Sequence, residues 1–226
     1  MIPIRRTSRL KYLDEPISVS VLEDIRLAAV CPAKLYVLTA KPAMQEIGSL
    51  ATTAGAEALR SKHYAGELYR WMRFSRRDPG WYRDGLNAEC MGLNRLKAAV
   101  AQQLLKPAIV AYLTQFSWSK FLYANAGEHA PFAAALCLLT TQDPSTAGRV
   151  EAGRSLQRVW LTAASHSLVT HPLSAAVDDP ESRRRVFEIF GVPPEDAHVN
   201  LFRLGKSPRT ARSARLPADE LLEPYA

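Results

Sequence analysis

Apolar residues recur at helical spacing in several separate stretches of this 226-residue chain. Over Ser18–Ala29, Val21, Leu22, Ile25, Ala28 and Ala29 make one stripe. Ser18 or Ser20 can accept from the unpaired amides of a first turn, and Cys31-Pro32 stops the pattern, so a helix is predicted. Met44–Arg60 carries Met44, Ile47, Leu50 and Ala51 on one side. Glu67–Phe74, Leu93–Leu105 and Pro107–Phe121 read as further helices, the last with its proline in the first turn, where a missing N–H costs nothing. Val150–Ala164 sets Leu156, Val159, Trp160 and Ala163 on one face and Arg154 and Arg158 on the other. Gly153 interrupts that pattern; an interior glycine costs about 1 kcal/mol relative to alanine, which close helix packing would explain. Glu181–Phe190 is a short helix closed by Gly191.

The strand signals are short and scattered. Leu35–Thr39 lies between Pro32 and Pro42. Ala133–Thr141 overlaps the longest apolar run, Phe132–Leu139, and reads as a buried strand; Val199–Leu204 ends at Gly205. Turns are expected at Asp78-Pro79-Gly80 and Asp143-Pro144, and an extended tail through Pro208 and Pro217. Helices mixed with a few separated strands, without repeats or a low-complexity linker, predict an α+β fold and one domain over residues 1–226.

Composition narrows the setting. The apolar share of 47% and charged share of 23% are those of a globular chain. No run reaches the roughly 20 apolar residues of a membrane span, and MIPIRRTSRLKYLDE lacks the apolar core of a secretory signal. Cys31, Cys90 and Cys137 are scattered, which suits free thiols, and a cytoplasmic location is expected. His166 and His171 are on different faces of any helix that contained both, so no metal site is expected. The net charge of +7 permits nucleic acid, anionic lipid or a phosphorylated ligand as partner.

That charge is concentrated at the two ends. Arg5, Arg6, Arg9 and Lys11 open the chain, and Lys206, Arg209, Arg212 and Arg215 follow one another at every third position near its close. If the ends meet, their guanidinium forks suit a phosphate; the alternative is two solvated, frayed termini. A second basic stretch, His63–Gly92, interleaves Trp71, Phe74, Trp81 and Tyr82 with Arg70, Arg73, Arg76, Arg77 and Arg83. Such a pattern can stack nucleic-acid bases, but it fits better an amphipathic helix followed by a loop whose aromatics pack inward. GxSxG, GxxxxGK[ST] and HExxH motifs are absent from the sequence, as is a GxGxxG after a strand. If the chain is an enzyme, a bound cofactor is expected to carry the chemistry.

Arg5-Arg6-Thr7-Ser8-Arg9 followed by Asp14-Glu15-Pro16-Ile17-Ser18 resembles the opening of the nitroreductase family. AGRSLQRVWLTAASHSLVTHPLSA resembles its central helix and the loop after it, and FRLGKSP with ARSARLPADELL its last strand and closing arm. The spacing is most similar to the Acg-type members. The resemblance covers both ends and most of residues 131–222, and only loosely residues 43–130. It implies an α+β fold with a central, mainly antiparallel sheet flanked by helices. It also implies a homodimer with FMN at its interface, and NAD(P)H as co-substrate. Carried over by position, Arg5, Thr7 and Arg9 fall on phosphate and ribityl contacts, the alternative register being Arg6 and Ser8, with Leu10 where a cation belongs. Pro172, Leu173 and Ser174 fall beside the flavin ring, and Arg215 with Arg212 on the phosphate.

Two departures accompany it. Ala29-Val30-Cys31-Pro32-Ala33-Lys34 enters the strand at once, without the Asn loop and Gln-Pro-Trp of the family. Ser167, Val169, Thr170 and His171 stand in a loop that is usually glycine-rich. The expected function is an FMN-dependent oxidoreductase passing electrons between NAD(P)H or substrate and a small conjugated acceptor. The alternative is a degenerate, non-catalytic relative, flavin-binding or a partner subunit, in which FMN binding is weakened or lost. Nucleic-acid binding is the third and weakest expectation.

Overall fold

The computed structural model describes residues 4–113, 127–209, 214, 216 and 220. Four antiparallel strands form one sheet in the order β1-β4-β6-β5: β1 Ala33–Leu38, β4 Ala135–Thr141, β5 Val169–Pro172 and β6 Ala197–Gly205. All seven residues of β4 are buried. The strand is central and both sheet faces are covered, which is why its sequence runs continuously apolar. Its side chains alternate between two cores. Leu136 and Leu138 pack with Leu201 beneath α2 (Lys41–Ala58), α7 (Ala175–Asp178) and α8 (Pro180–Phe190). Cys137 and Leu139 pack with Phe202 and Leu204 beneath α1 (Val19–Leu27) and α6 (Thr146–Ser165). The ladder between β4 and β6 shifts register after Leu139, and Thr140 beyond it donates to Asp196 at 3.0 Å.

Local chemistry sets the helix ends. The Ser18 hydroxyl accepts from the Val21 amide, Ser145 from Gly148 and Asp179 from Ser182. Gly191 closes α8 at φ 64°, in the left-handed region open to glycine. Close packing is not the reason for Gly153, contrary to expectation: it is exposed, and an added Cβ would meet nothing within 4 Å. Within α6 the pressed glycine is Gly148, against the backbone and side chain of Asp143.

The middle of the chain departs most from its pattern. α3 spans Lys62–Trp71, capped by Ser61, and so starts and ends before the predicted Glu67–Phe74. The chain then enters β2 (Met72–Arg73), which pairs in parallel with β3 (Leu86–Asn87). Strands of two residues carry no period that a sequence could show. The Asp78-Pro79-Gly80 turn forms, with the Gly80 amide donating to the Asp78 carboxylate at 2.8 Å. α4 is Arg95–Leu104, capped by Asn94, and α5 is Pro107–Leu113; the rest of the predicted Pro107–Phe121 helix lies outside the described residues. Trp81 is buried and Phe74 packs against Tyr69, as expected of inward-facing aromatics, but Trp71 and Tyr82 are 50% and 70% exposed. Arg70, Arg73, Arg76 and Arg83 pair with Glu67, Asp84, Glu89 and Glu220. Among the described residues, no helix is long and apolar enough to cross a membrane.

Candidate functional site

The amino-terminal arm is not frayed. It runs beside β5, the strand at the end of the sheet order, with Thr7 bridging Thr170 in parallel and the Ser8 amide donating to the Thr170 carbonyl at 3.2 Å. The arm also meets the segment after β6. The Ser8 and Ser207 hydroxyls are 2.8 Å apart, the Leu13 amide donates to the Lys206 carbonyl at 2.9 Å, and Lys206 pairs with Glu15 at 2.8 Å. The amino-terminal arm therefore meets the start of the carboxyl-terminal basic stretch, at Lys206 and Ser207. Arg212 and Arg215 lie outside the described residues. Lys11 turns away, over the Phe132 ring.

Arg5 and Thr7 share one side of the arm. Arg5 Nη1 donates to Thr7 Oγ1 at 3.4 Å, and its guanidinium lies over the Trp160 indole of α6 at 5.3 Å. Arg6 turns back onto the Arg5 carbonyl at 2.9 Å. Ser8 is buried and engaged with Ser207, and Leu10 faces Gly92. Arg9 is held inside, where burial pushes its pKa down against the opposing pull of Cys90 and Tyr12. Tyr12 donates to the Ser8 carbonyl at 3.1 Å, and burial pushes its phenol up.

Arg203 lies behind this arm, unforeseen from the sequence. It is wholly buried, on the same face of β6 as the core residue Leu201. Its guanidinium stacks on Tyr12 at 4.6 Å, donates to the carbonyls of Leu10 and His129 at 3.4 and 3.3 Å, and meets His171 Nδ1 at 2.9 Å. The available signal was parity: in Leu201-Phe202-Arg203-Leu204, a lone cation occupies a core-facing position. Burial and the neighbouring Arg203, Arg9 and His129 hold His171 well below the ordinary histidine range. His129 is lowered too, first by burial and then by Arg203. Three polar atoms here are sealed without a partner among the described residues: Thr170 Oγ1, His129 Nδ1 and Arg203 Nε.

The expected ring-side segment is divided in use. Pro172 ends β5 and has no N–H, and the Leu173 amide is spent on the Leu201 carbonyl at 2.7 Å. Ser174 opens α7, and its amide is the one of the three with an N–H and no acceptor among the described residues. The short connection between α1 and β1 is tied to α6 instead of forming a loop: the buried Ser155 hydroxyl accepts from the Val30 amide at 3.2 Å and donates to the Val30 carbonyl at 3.1 Å. The donor set on the arm, Arg5, Arg6, Thr7 and Arg9, fits a phosphorylated, hydroxyl-bearing group such as FMN.

No protein-family model matches the chain. No curated protein matches it either. Solved structures do. A nitroreductase with bound FMN from Desulfitobacterium hafniense DCB-2 is 13% identical, with a TM-score of 0.58, over 100% of this chain and 96% of that one. A nitroreductase with bound FMN from Bacteroides fragilis NCTC 9343 is 14% identical, at a TM-score of 0.56, over 96% and 92% of the two chains. Iodotyrosine deiodinase, bound to FMN and 3-iodo-L-tyrosine, is 13% identical, at 0.56, over 100% and 96%. Likeness along whole chains at such low identity establishes architecture, and the architecture of this chain is the nitroreductase fold.

Proposed function

We propose that this protein is an FMN-dependent oxidoreductase that passes electrons between NAD(P)H or its substrate and a small conjugated acceptor. One observation carries the reading: within a nitroreductase fold, the Arg5–Arg9 arm is hydrogen-bonded along β5 and joined to the segment after β6. Arg5, Arg6, Thr7 and Arg9 would hold the phosphate and ribityl chain, with Arg212 and Arg215 added from the carboxyl end. The shared side of Arg5 and Thr7, and the engagement of Ser8 with Ser207, favour the register Arg5-Thr7-Arg9 over Arg6-Ser8. Pro172, Leu173 and Ser174 would flank the ring, with Ser174 offering the open amide. When bound, the flavin supplies the two-electron chemistry; the chain supplies charge, orientation and a fixed edge. The reading also includes a homodimer, a cytoplasmic location and a single domain.

A second reading, a non-catalytic relative, is favoured by one observation: Val30 is locked onto Ser155 where relatives have a flavin-contacting loop. Visible absorption after FMN addition and desalting tests the first reading. A retained, structured flavin band is expected, and Arg5→Ala should lose it. A protein that stays colourless at micromolar FMN overturns the proposal. Turnover of NADH or NADPH with a quinone or nitroaromatic would dismiss the second reading.

A further inference from the structure

Arg203 can only donate hydrogen bonds, so the 2.9 Å contact makes His171 Nδ1 the acceptor. The imidazole is then neutral, with its proton on Nε2. The charged and titratable groups that face it come from three other segments: Arg203 on β6, Arg9 on the amino-terminal arm and His129 before β4. None of these is a carboxylate that could draw a second proton onto the ring. Nε2 has no hydrogen-bond partner among the described residues, yet it is not one of their sealed, unsatisfied atoms. A histidine that merely filled core space would have both nitrogens engaged or sealed. Here one is anchored and the other is unpartnered among the described residues without being wholly sealed, one residue before Pro172–Ser174.

We propose that Arg203 and His171 form a fixed dyad that offers the Nε2–H of a neutral imidazole, as a hydrogen-bond donor, to an electron-rich oxygen of the ligand bound beside Pro172–Ser174. Arg203 is the positioning residue, acting through His171. The proposal rests on the placement of a flavin there, and the oxygen belongs either to a flavin carbonyl or to the acceptor. With the Leu10 and His129 carbonyls and the Tyr12 ring, the His171 acceptor offsets part of the cost of burying this charge, although Nε stays without a partner among the described residues. Arg203 joins β6, β5, the arm at Leu10 and Tyr12, and the helical segment ending at His129, so it ties the sheet to the arm at the edge that would hold the ligand.

The test is histidine 15N NMR on the full-length protein, without ligand, with FMN, and with 4-nitrobenzoate. Without ligand, His171 should show an unprotonated Nδ1 and a protonated Nε2 from pH 5.5 to 8. An Nδ1–H tautomer, or titration near 6.5, overturns the dyad whether or not flavin binds. A downfield move of the Nε2 proton with FMN alone assigns the oxygen to the flavin; a move only with the nitro compound assigns it to the acceptor. No move with either ligand overturns the donor role. If FMN fails to bind, the flavin reading falls while the tautomer and the nitro arm still decide this one. Arg203→Met should release the tautomer, so that Nδ1–H becomes populated, and raise the His171 pKa, while burial, Arg9 and His129 still hold it below the free value; Arg203→Lys, which still donates, should hold the tautomer. Should Arg203→Met not fold, His171→Phe keeps the ring's bulk without its nitrogens. It should weaken the ligand that moves Nε2 by about tenfold, and unchanged affinity for both ligands would overturn the proposal.

Discussion

Around the sheet, Leu136, Leu138 and Leu201 on one face, and Cys137, Leu139 and Phe202 on the other, are buried by helices drawn from both ends of the chain. Between residues 61 and 93 the chain is fastened differently. Its apolar clusters are small, one built on Leu59, Ala65, Met72, Leu105 and Val110, the other on Trp81, Ala88 and Ala98. Local ion pairs do much of the tying: Arg73 to Asp84 and Asp78, and Arg76 to Glu89. A core assembled from distant segments fails as a whole, whereas locally fastened segments can open alone. The difference bears on function, because the fastened segment lies against the arm: Gly92 faces Leu10, and Cys90 neighbours Arg9. The sheet holds the arm along β5, and the locally fastened segment lies against the arm at Leu10 and Arg9.

The largest effect belongs to the sheet. Phe202→Ala empties the face where Trp160 packs edge-on at 5.9 Å, and should cost about 3–5 kcal/mol of global stability, read as a lower Tm. Trp81→Ala should instead abolish amide-exchange protection across residues 72–93 while protection in β4 and β6 persists. If both variants unfold the molecule in one transition, the two regions are not distinct.

Next comes the fastening. Arg73 donates to the Asp84 carboxylate from Nε and Nη2 at 3.0 and 2.5 Å, and its side chain is only 13% exposed. Asp84→Ala should cost the segment about 1–3 kcal/mol, the usual worth of charged hydrogen bonds. Cys90 is buried under native conditions, so its alkylation, followed by mass spectrometry, reports the opening. The buried Cys137 on β4 serves as the internal control. Equal labelling of both cysteines would mean the sheet opens with the segment.

Acid should act on the sheet side. His129, His171 and His198, which precede or lie on β4, β5 and β6, are all lowered, with burial as the first cause. Below an unfolded-state value near 6.5 the unfolded chain takes up protons that the folded chain refuses. Stability contributed by these groups is therefore full above about pH 6.5 and is lost as pH falls, at up to about 1.4 kcal/mol per pH unit for each histidine. Urea unfolding at pH 7.5 and 5.5 measures it. His171→Asn should flatten the slope, and an unchanged slope would remove His171 from the account.

Much of this was legible in advance, for reasons tied to particular residues. β4 showed itself as a continuous apolar run, because both its faces are buried, and the α6 stripe of Val159 and Ala163 as a helical period, because one face is. The basic clusters at the two ends were visible as charge; of the carboxyl-terminal one, Lys206 and Arg209 lie among the described residues, and Lys206 meets the arm. β5 did not show itself, because Val169–Pro172 is short, ends in proline and gains its partners from β6 and the arm, far away in sequence. Arg203 was hidden because its partners are carbonyls, a phenol ring and a histidine from distant segments, none of which leaves a spacing to read. In the middle segment the Arg-rich pattern was visible, but its pairing with carboxylates depends on a turn and two-residue strands that no periodicity announces.

The smallest effect probes one helix of the sheet side at two glycines. The predicted helix began at Val150 and held only Gly153; α6 begins at Thr146 and so holds Gly148 as well. At Gly148 a methyl group would collide with the Asp143 backbone, so alanine there must shift the turn that caps the helix and should destabilise. At Gly153 the same methyl meets open space on an exposed helix face, and alanine should stabilise by roughly 0.5–1 kcal/mol, chiefly by restricting the unfolded chain. Opposite signs in paired melts are expected. Should Gly153→Ala destabilise instead, its open face is covered in solution, and a second copy on α6 is the first occupant to test, by the concentration dependence of the melt.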